Sequence, residues 1–193
     1  MGNTASNASA AKPNISGAIY RAPKTITLPT AADTDITADS NYTCLGYISE
    51  DGITNSNSRE SDSFKAWGGD TILTNQTSYT DTFNMKLLEI LNKNVLQTVY
   101  GEDNVTGTDL ESGLAVKANS AELSNYAWVI DMLMNGDVLN RIVIPDGKIS
   151  EIGDTTYQDS SLVAYDITIT AFPDSSGNTH YEYKKKKAAI IST

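Results

Sequence analysis

Apolar and polar side chains alternate along much of this 193-residue chain. The clearest case runs from residue 79 to residue 87, where a period of two predicts a strand with one buried face. The predicted inner face contains Tyr79, Asp81, Phe83, Met85 and Leu87. Asp81 is the polar interruption of that face.

Further strands are predicted where β-branched and aromatic residues cluster between turn-forming residues. We expect them at residues 42–48, 71–77, 114–118, 126–134, 138–144, 148–152, 161–172 and 179–183. The Asn135-Gly136 pair predicts a tight hairpin turn between two of these strands. The polar stretch at residues 55–62 predicts a long hairpin or loop that reaches out from the core.

One segment has helical periodicity instead. Between residues 87 and 100, apolar side chains recur at spacings of three and four, which predicts an amphipathic helix. Its apolar stripe contains Leu87, Leu88, Leu91, Val95, Leu96 and Val99. We expect Gly101 to end the helix, and the helix to cover an open face or end of a sheet.

These elements predict a mainly β fold, a β-sandwich or barrel with one flanking α-helix and extended terminal arms. The body is expected at residues 41–183. Residues 1–40 are rich in Ala, Ser, Asn, Thr and Pro, and their few apolar side chains cannot form a core of their own, so we expect an extended N-terminal arm. Residues 184–193, which begin with four lysines, form the predicted C-terminal arm.

The charge of the chain argues against a protein that grips nucleic acid. There are 24 Asp and Glu residues against 14 Lys and Arg residues, a net charge of -10. Without the four cations at 184–187, residues 1–183 hold the same 24 acids against 10 bases, a net charge of -14. Phosphate binding depends on Lys and Arg. DNA could still slide past an acidic surface without adhering to it.

The sequence contains no recognisable catalytic or cofactor motif. Glycine-rich phosphate loops, the nucleophile elbow of hydrolases and zinc-binding helix motifs are absent. His180 has no nucleophile or acid at a characteristic spacing, which favours a surface or interface role. Cys44 is the one cysteine, so an intramolecular disulfide is impossible. We therefore expect no enzyme activity, no catalytic residue, no cofactor and no metal site.

The N-terminal residues lack the apolar centre of a secretory signal, and no stretch approaches the roughly 20 apolar residues of a membrane span. The expectation is a soluble protein made in a cytoplasm, with no membrane partner.

Several phrases of the body resemble the major tail proteins of long-tailed, non-contractile bacteriophages, which build the tail tube. The similar phrases are residues 45–52 (LGYISEDG), 59–61 (RES), 66–69 (AWGG), 99–101 (VYG), 128–131 (WVID), 141–145 (RIVIP) and 165–171 (YDITITA). They span most of residues 44–183 and are specific in combination.

This resemblance implies a structural subunit and no enzyme. In that family, six copies form a ring, rings stack into a tube, and each copy adds strands to a barrel around the lumen. An extended loop and the terminal arms bridge subunits and rings. The implied partners are further copies of the chain and the tape measure, tail terminator and distal tail proteins. DNA passes through an acidic lumen without specific binding, and the particle is assembled in the host bacterial cytoplasm.

Charged residues of the loop and of the C-terminal arm are the candidates for subunit contacts or for the lumen. They are Glu60, Asp62, Asp70, Lys184, Lys185, Lys186 and Lys187. Because the body is acidic, we expect the four lysines to dock on a neighbouring copy, although a solvated tail would have the same composition.

Two other functions are compatible with the sequence. One is the tube protein of a phage-derived particle with another cargo. The other is a carbohydrate-binding or adhesion β-sandwich, which would need a cluster of exposed aromatic side chains. Large aromatic residues such as Phe83 and Trp128 instead lie on alternating apolar faces that are expected to be internal.

Overall fold

Strands account for most of the regular structure in the computed structural model, which describes residues 2–14 and 18–187. Together with a single α-helix in this part of the chain, they confirm the prediction of a mainly β fold with one helix. The strands are β1 (Ala11–Pro13), β2 (Ile19–Ala22), β3 (Thr43–Cys44), β4 (Ile48–Lys65), β5 (Thr71–Leu87), β6 (Val105–Thr106), β7 (Ala115–Val116), β8 (Tyr126–Met134), β9 (Val138–Ile152), β10 (Tyr165–Ala171) and β11 (Tyr181–Lys186). The helix α1 spans Lys93–Tyr100, and short 3-10 turns span Ala5–Asn7 and Glu102–Asn104.

One antiparallel sheet contains nine of the strands, and β9 is its central member. β8 pairs along one edge of β9. The other edge pairs with β11 over residues 138–143 and with β10 over residues 147–152. Across the sheet, the order is β3-β2-β8-β9-β10-β5-β4, while β6 and β7 form a separate small sheet.

A bulge in β9 lies between these two pairing regions. Trp128 pairs with Ile144 but Tyr126 pairs with Gly147, so two residues of β9 lie opposite one residue of β8. One of the two is Pro145, which has no N–H to donate to a ladder and therefore fits within a strand only at such a bulge or at an edge. The sequence predicts two separate strands here, at residues 138–144 and 148–152, with a turn at Pro145-Asp146-Gly147 between them. That prediction is wrong, because β9 continues from Val138 to Ile152.

The two halves of the sheet enclose the main core. β8 and β5 are not neighbours in the sheet, yet their side chains share one buried cluster, as expected of a β-sandwich. The cluster includes Phe83, Met85, Trp128, Ile130, Ile167 and Ile169, together with Val95, Leu96 and Val99 of α1. The helix therefore covers part of this core, as its apolar stripe predicts.

The helix is shorter than its sequence pattern predicts. β5 continues to Leu87, and α1 begins only at Lys93. The Asn92 side chain accepts a hydrogen bond from Asn94 N at 2.9 Å, the arrangement typical of a helix N-cap. Leu91 consequently lies outside the helix, and 62% of its surface is exposed.

Several predicted strands have other bounds in the structure. Within residues 42–48, the chain leaves β3 after Cys44 and turns at Gly46, whose φ of 74° favours glycine, before β4 begins. The predicted strand at 161–172 is limited to β10. The last strand continues beyond residue 183 to Lys186, because it pairs residue by residue with the first part of β9.

A substitution on α1 tests the placement of the helix. Leu96 is 7% exposed, so Leu96→Asp should lower the free energy of unfolding by about 3 to 5 kcal/mol, a large share of the roughly 5 to 15 kcal/mol that stabilises a domain. Leu91→Asp is the matched control, and we expect it to change stability by less than about 0.5 kcal/mol. Urea denaturation of both variants measures the difference. Equal losses would contradict the helix start at Lys93.

Candidate assembly surfaces

β4 and β5 form a hairpin arm that extends well beyond the rest of the sheet. The two strands pair from Ile53 opposite Met85 to Lys65 opposite Thr71. β10 pairs with β5 only over residues 81–87, and Ser58 is the first residue of β4 that lies opposite a residue of β5 beyond this range. Residues 58–80, which we name the hairpin arm, therefore project past β10. The eight residues of β4 in the arm, 58–65, extend about 26 Å. The long hairpin or loop predicted from the polar sequence is therefore a hairpin.

Contacts between its own two strands stabilise the hairpin arm. The Arg59 guanidinium lies 4.4 Å from the centre of the Tyr79 ring, and the Tyr79 hydroxyl donates a hydrogen bond to Asn57 Oδ1. Ser78 Oγ donates to Glu60 Oε2 at 3.1 Å. Cross-strand pairs of this kind each contribute a fraction of about 1 kcal/mol, so the arm depends on many small terms and on no core.

All three acidic candidate residues lie on the hairpin arm. Glu60 and Asp62 are two residues apart on β4 and therefore point to the same face. Asp70 is in the turn at the tip, where its carbonyl accepts a hydrogen bond from Ala66 N at 2.7 Å. All three side chains belong to exposed residues.

The lysine run lies elsewhere in the fold and is mostly ordered strand. Lys184, Lys185 and Lys186 belong to β11 and pair with the first residues of β9. Lys187 N donates to Asp137 O at 2.7 Å. Residues 188–193 of the predicted C-terminal arm lie outside the described residues. Within the described chain, no salt bridge joins the lysines to the three acids of the arm.

Two of these lysines have acidic partners in their own chain. Lys184 Nζ forms a salt bridge with Glu182. Lys185 Nζ lies 2.5 Å from Asp33 Oδ2, and this hydrogen bond holds the pKa of the Asp33 carboxyl below its usual value. Both partners of the second pair are exposed, so the pair contributes little to stability. It does join the end of β11 to the N-terminal region.

The N-terminal region is held on the outer face of β8 and β9 by a buried ion pair. Arg141 Nε and Nη2 donate to the two carboxylate oxygens of Asp131 at 2.6 and 2.7 Å. Arg141 Nη1 donates to the carbonyls of Ala31 and Thr34 at 3.1 and 2.7 Å. The Arg141 guanidinium therefore joins β8 to β9 and also holds residues 31–34 against this pair of strands.

Apolar side chains complete this attachment. Tyr20, Val129 and Val143 form a second buried cluster with Ile36, and Tyr42 packs against it. Residues 18–22, which composition assigns to the N-terminal arm, are buried, and residues 19–22 form β2 inside the sheet. The outer face of this half of the sheet is thus covered by the chain itself.

The opposite outer face, on β4, β5 and β10, is polar and carries short side chains. Thr170 lies opposite Thr82, and Thr168 lies opposite Asn84. Thr82 also pairs with Ser56 of β4. We name these five residues the polar face. Their side chains point away from the main core and belong to exposed or half-exposed residues.

Few charges accompany the polar face. Asn84 Nδ2 donates to Asp166 Oδ1 at 2.8 Å. Lys86 Nζ lies 2.9 Å from Asp51 Oδ2, and this pairing lowers the pKa of the Asp51 carboxyl. Lys148, which lies opposite Thr170, forms a salt bridge with Glu122. Both lysines are thus neutralised by neighbours, whereas no salt bridge neutralises Asp166 or Glu151 among the described residues.

A buried carboxylate fixes the root of the hairpin arm. Asp81, the polar interruption of the apolar face, is 1% exposed. It accepts hydrogen bonds from Asn55 Nδ2 at 2.7 Å and Thr179 Oγ1 at 2.6 Å, and it lies 2.6 Å from His180 Nδ1. The His180 ring also packs edge-on against Phe83. The structure thus gives His180 a contact inside the chain, where the sequence favours a surface or interface role.

The described residues contain no cluster suited to metal chemistry. Among residues 2–14 and 18–187, no group of three or more His, Cys, Asp or Glu side chains is placed to hold a metal ion. Within the same ranges, no helix is long and apolar enough to span a membrane. The prominent features of the described chain are the hairpin arm, the polar face and the outermost strands of the sheet.

The sequence predictions do not include the Arg141–Asp131 pair, which attaches the N-terminal region to the sheet. A signal for it exists, because Asp131 and Arg141 are each five residues from Gly136, the glycine of the predicted hairpin turn. Residues at equal distances from a tight turn face each other across a hairpin. Pairing the two strands in register would have placed an acid opposite a base on one face.

A family model described as "Phage tail tube protein" matches residues 4–190, nearly the whole chain. No curated protein matched the chain.

Removal of one partner of the buried ion pair should destabilise the domain. Asp131→Ala leaves the Arg141 guanidinium buried without its counter-charge, and we expect a loss of about 3 to 5 kcal/mol in the free energy of unfolding. Asp51→Ala, which breaks the exposed pair with Lys86, is the control and should have little effect. Urea denaturation measures both. An unchanged midpoint for Asp131→Ala would show that the pair does not hold this region together.

Proposed function

Because the chain belongs to the family of phage tail tube proteins, we propose that it polymerises as stacked rings of six copies into a channel through which DNA passes. As a member of that family, it is a structural subunit of the virion tail, and it assembles with further copies of itself. The family match over residues 4–190 carries the proposal. The tape measure, tail terminator and distal tail proteins are the proposed further partners, and the host cytoplasm is the proposed place of assembly.

Unpaired strand edges support assembly by strand pairing around a ring. In the described chain, β4 pairs only with β5 and β11 pairs only with β9, so each has a free edge. Free edges invite uncontrolled aggregation unless another strand covers them. In a closed ring, neighbouring copies cover one another's edges, and the sheets join into a barrel.

The polar face is the proposed lining of the channel. The outer face of the other half of the sheet is covered by residues of the N-terminal region, which leaves the polar face for the lumen. Its short hydroxyl and amide side chains carry no cation, and the two lysines beside them, Lys86 and Lys148, are already paired with Asp51 and Glu122. The unneutralised carboxylates of Asp166 and Glu151 make the lining slightly acidic, so DNA is repelled and does not adhere.

The hairpin arm and the terminal segments are the proposed bridges between subunits. We propose that Glu60, Asp62 and Asp70 of the arm meet a neighbouring copy or lie at the mouth of the channel. Lys186 is exposed and has no salt bridge among the described residues. We expect Lys184 to Lys187 to meet an acidic surface of an adjacent copy. Residues 2–14 are likewise exposed almost throughout and would become covered on assembly.

Electron microscopy of the purified protein tests the proposed assembly. We expect rings or tubes at high protein concentration. Leu96→Asp, which disrupts the main core, is the control that should form neither. Dispersed monomers of the wild-type protein under all conditions would contradict the proposal.

Cations placed on the polar face should make the channel adhesive. The variant Thr82→Lys/Thr170→Lys should form tubes that retain a short fluorescent DNA duplex at about 50 mM salt and release it at about 200 mM, because phosphate contacts weaken steeply with salt. The control Thr155→Lys/Thr156→Lys carries the same added charge in the loop before β10. Sedimentation of tubes with the duplex measures retention. Equal retention by both variants would contradict a lumen lined by the polar face.

A further inference from the structure

Large apolar side chains are exposed at the tip of the hairpin arm. Phe64 and Leu73 pair across the arm and are 56% and 52% exposed. Ile72 beside them is 71% exposed, and Trp67 in the turn is fully exposed. An exposed apolar patch of this kind typically marks a surface that a partner covers.

The turn presents Trp67 to solvent in a fixed conformation. Ala66 N donates to Asp70 O at 2.7 Å, and Gly69 N donates to Ala66 O at 3.0 Å. Gly68 and Gly69 have φ angles of 110° and 101°, which residues with a Cβ rarely adopt. Because the turn is already ordered, docking of its side chains costs little conformational entropy.

An open apolar groove of about 430 Å³ lies at the other end of β5. It is lined by residues 88–92, which follow β5, and by Leu162 and Val163, which precede β10. Leu91 and Leu162 are 62% and 77% exposed there. The groove is held in shape by backbone hydrogen bonds, including Leu88 N to Tyr47 O at 2.9 Å.

The tip and the groove of one chain cannot meet. They lie at opposite ends of β5, whose 17 residues extend about 53 Å from end to end. A tip can therefore enter only the groove of another copy. Such a head-to-tail contact does not close on itself within a pair, and it generates either a closed ring or an open polymer. Because the free strand edges are the proposed contacts within a ring and the tip and the groove lie at the two ends of β5, the open polymer along the strand direction is the arrangement that fits.

Charge at the two ends is also complementary. Lys65 beside the tip is exposed and forms no salt bridge in the described chain. Glu89 in the groove accepts hydrogen bonds from Tyr47 N and Asn92 Nδ2 and has no cationic partner among the described residues. A docked tip would bring this lysine toward that carboxylate.

We infer that the Trp67 tip of one copy docks into the groove at residues 88–92, Leu162 and Val163 of a second copy in the next ring. The inference rests on the proposed tube function and names the contact that stacks the rings. Trp67 is the central anchor, since a large aromatic side chain in an apolar pocket dominates the energetics of an interface. The axial repeat between rings cannot then exceed about 53 Å by much.

Substitutions at the two ends should stop stacking and leave ring formation intact. We expect Trp67→Ser and the double variant Leu91→Ser/Leu162→Ser to raise the protein concentration needed for tubes at least about tenfold. Leu110→Ser, which removes an apolar side chain that is 56% exposed outside both sites, should not. When rings of the two variants are mixed, the intact tips of the groove variant should dock into the intact grooves of the tip variant. The resulting pair of rings has a defective groove at one outer end and a defective tip at the other, so it should grow no further. Electron microscopy distinguishes single rings, paired rings and tubes.

A photochemical cross-link tests the contact directly without removing the aromatic anchor. Trp67→p-benzoylphenylalanine in the full chain should, on irradiation of assembled protein, form adducts with residues 88–92, 162 or 163 of a second copy. The same replacement at Tyr157, which is 73% exposed, is the control. Adducts at other positions, or tubes of Trp67→Ser at the wild-type concentration, would overturn the inference and leave the tube function standing. A wild-type protein that forms no tubes would instead contradict the proposed function.

Discussion

The fold depends on one strand, β9, that pairs with both halves of the sheet. Its first residues pair with β8 and β11, and its last residues pair with β10. The bulge at Pro145 separates the two pairing regions, and Trp128 secures it by donating a hydrogen bond to Gly147 O at 3.0 Å. A Cβ on Gly147 would lie 2.8 Å from the Trp128 ring. A residue larger than glycine at position 147 would therefore collide with the Trp128 ring that secures the bend.

In the bent sheet, one outer face is covered by the chain itself and the other is left exposed. The face over β8 and β9 carries the Asp131–Arg141 pair, and Arg141 draws the carbonyls of residues 31 and 34 onto it. A buried guanidinium needs acceptors for all its donors, so this face is covered by the chain itself. The face over β5 and β10 carries hydroxyl and amide groups that water can satisfy. It therefore needs no cover.

Ordering the hairpin arm costs conformational entropy, which contacts within one copy of the chain offset only in part. Ordering its backbone costs roughly 1 to 2 kcal/mol per residue, and it has no core to offset this cost. Cross-strand contacts such as Arg59 over Tyr79 compensate in part. The apolar tip adds exposed surface that the monomer does not bury. The family match implies self-association, and in the proposed assembly a second copy covers that surface and offsets part of the ordering cost.

The sequence by itself determined the mainly β class, the single helix, a polar segment that reaches out from the core as a hairpin or loop, and the family. The fold features follow from periodicity and local composition, which depend on neighbours along the chain, whereas the family follows from the resemblance of whole sequence segments. Where a local sequence pattern fits two kinds of structure, only the tertiary structure decided which of the two forms. The apolar pattern from residue 87 onward fits a strand end and a helix equally, and pairing with β10 gives Leu87 to the strand. Pro145 signals a turn or a bulge, and continuous pairing across it selects the bulge. Contacts between distant residues, such as Arg141 with the carbonyl of Thr34, have no periodic signature, because their energy depends on how the sheet bends.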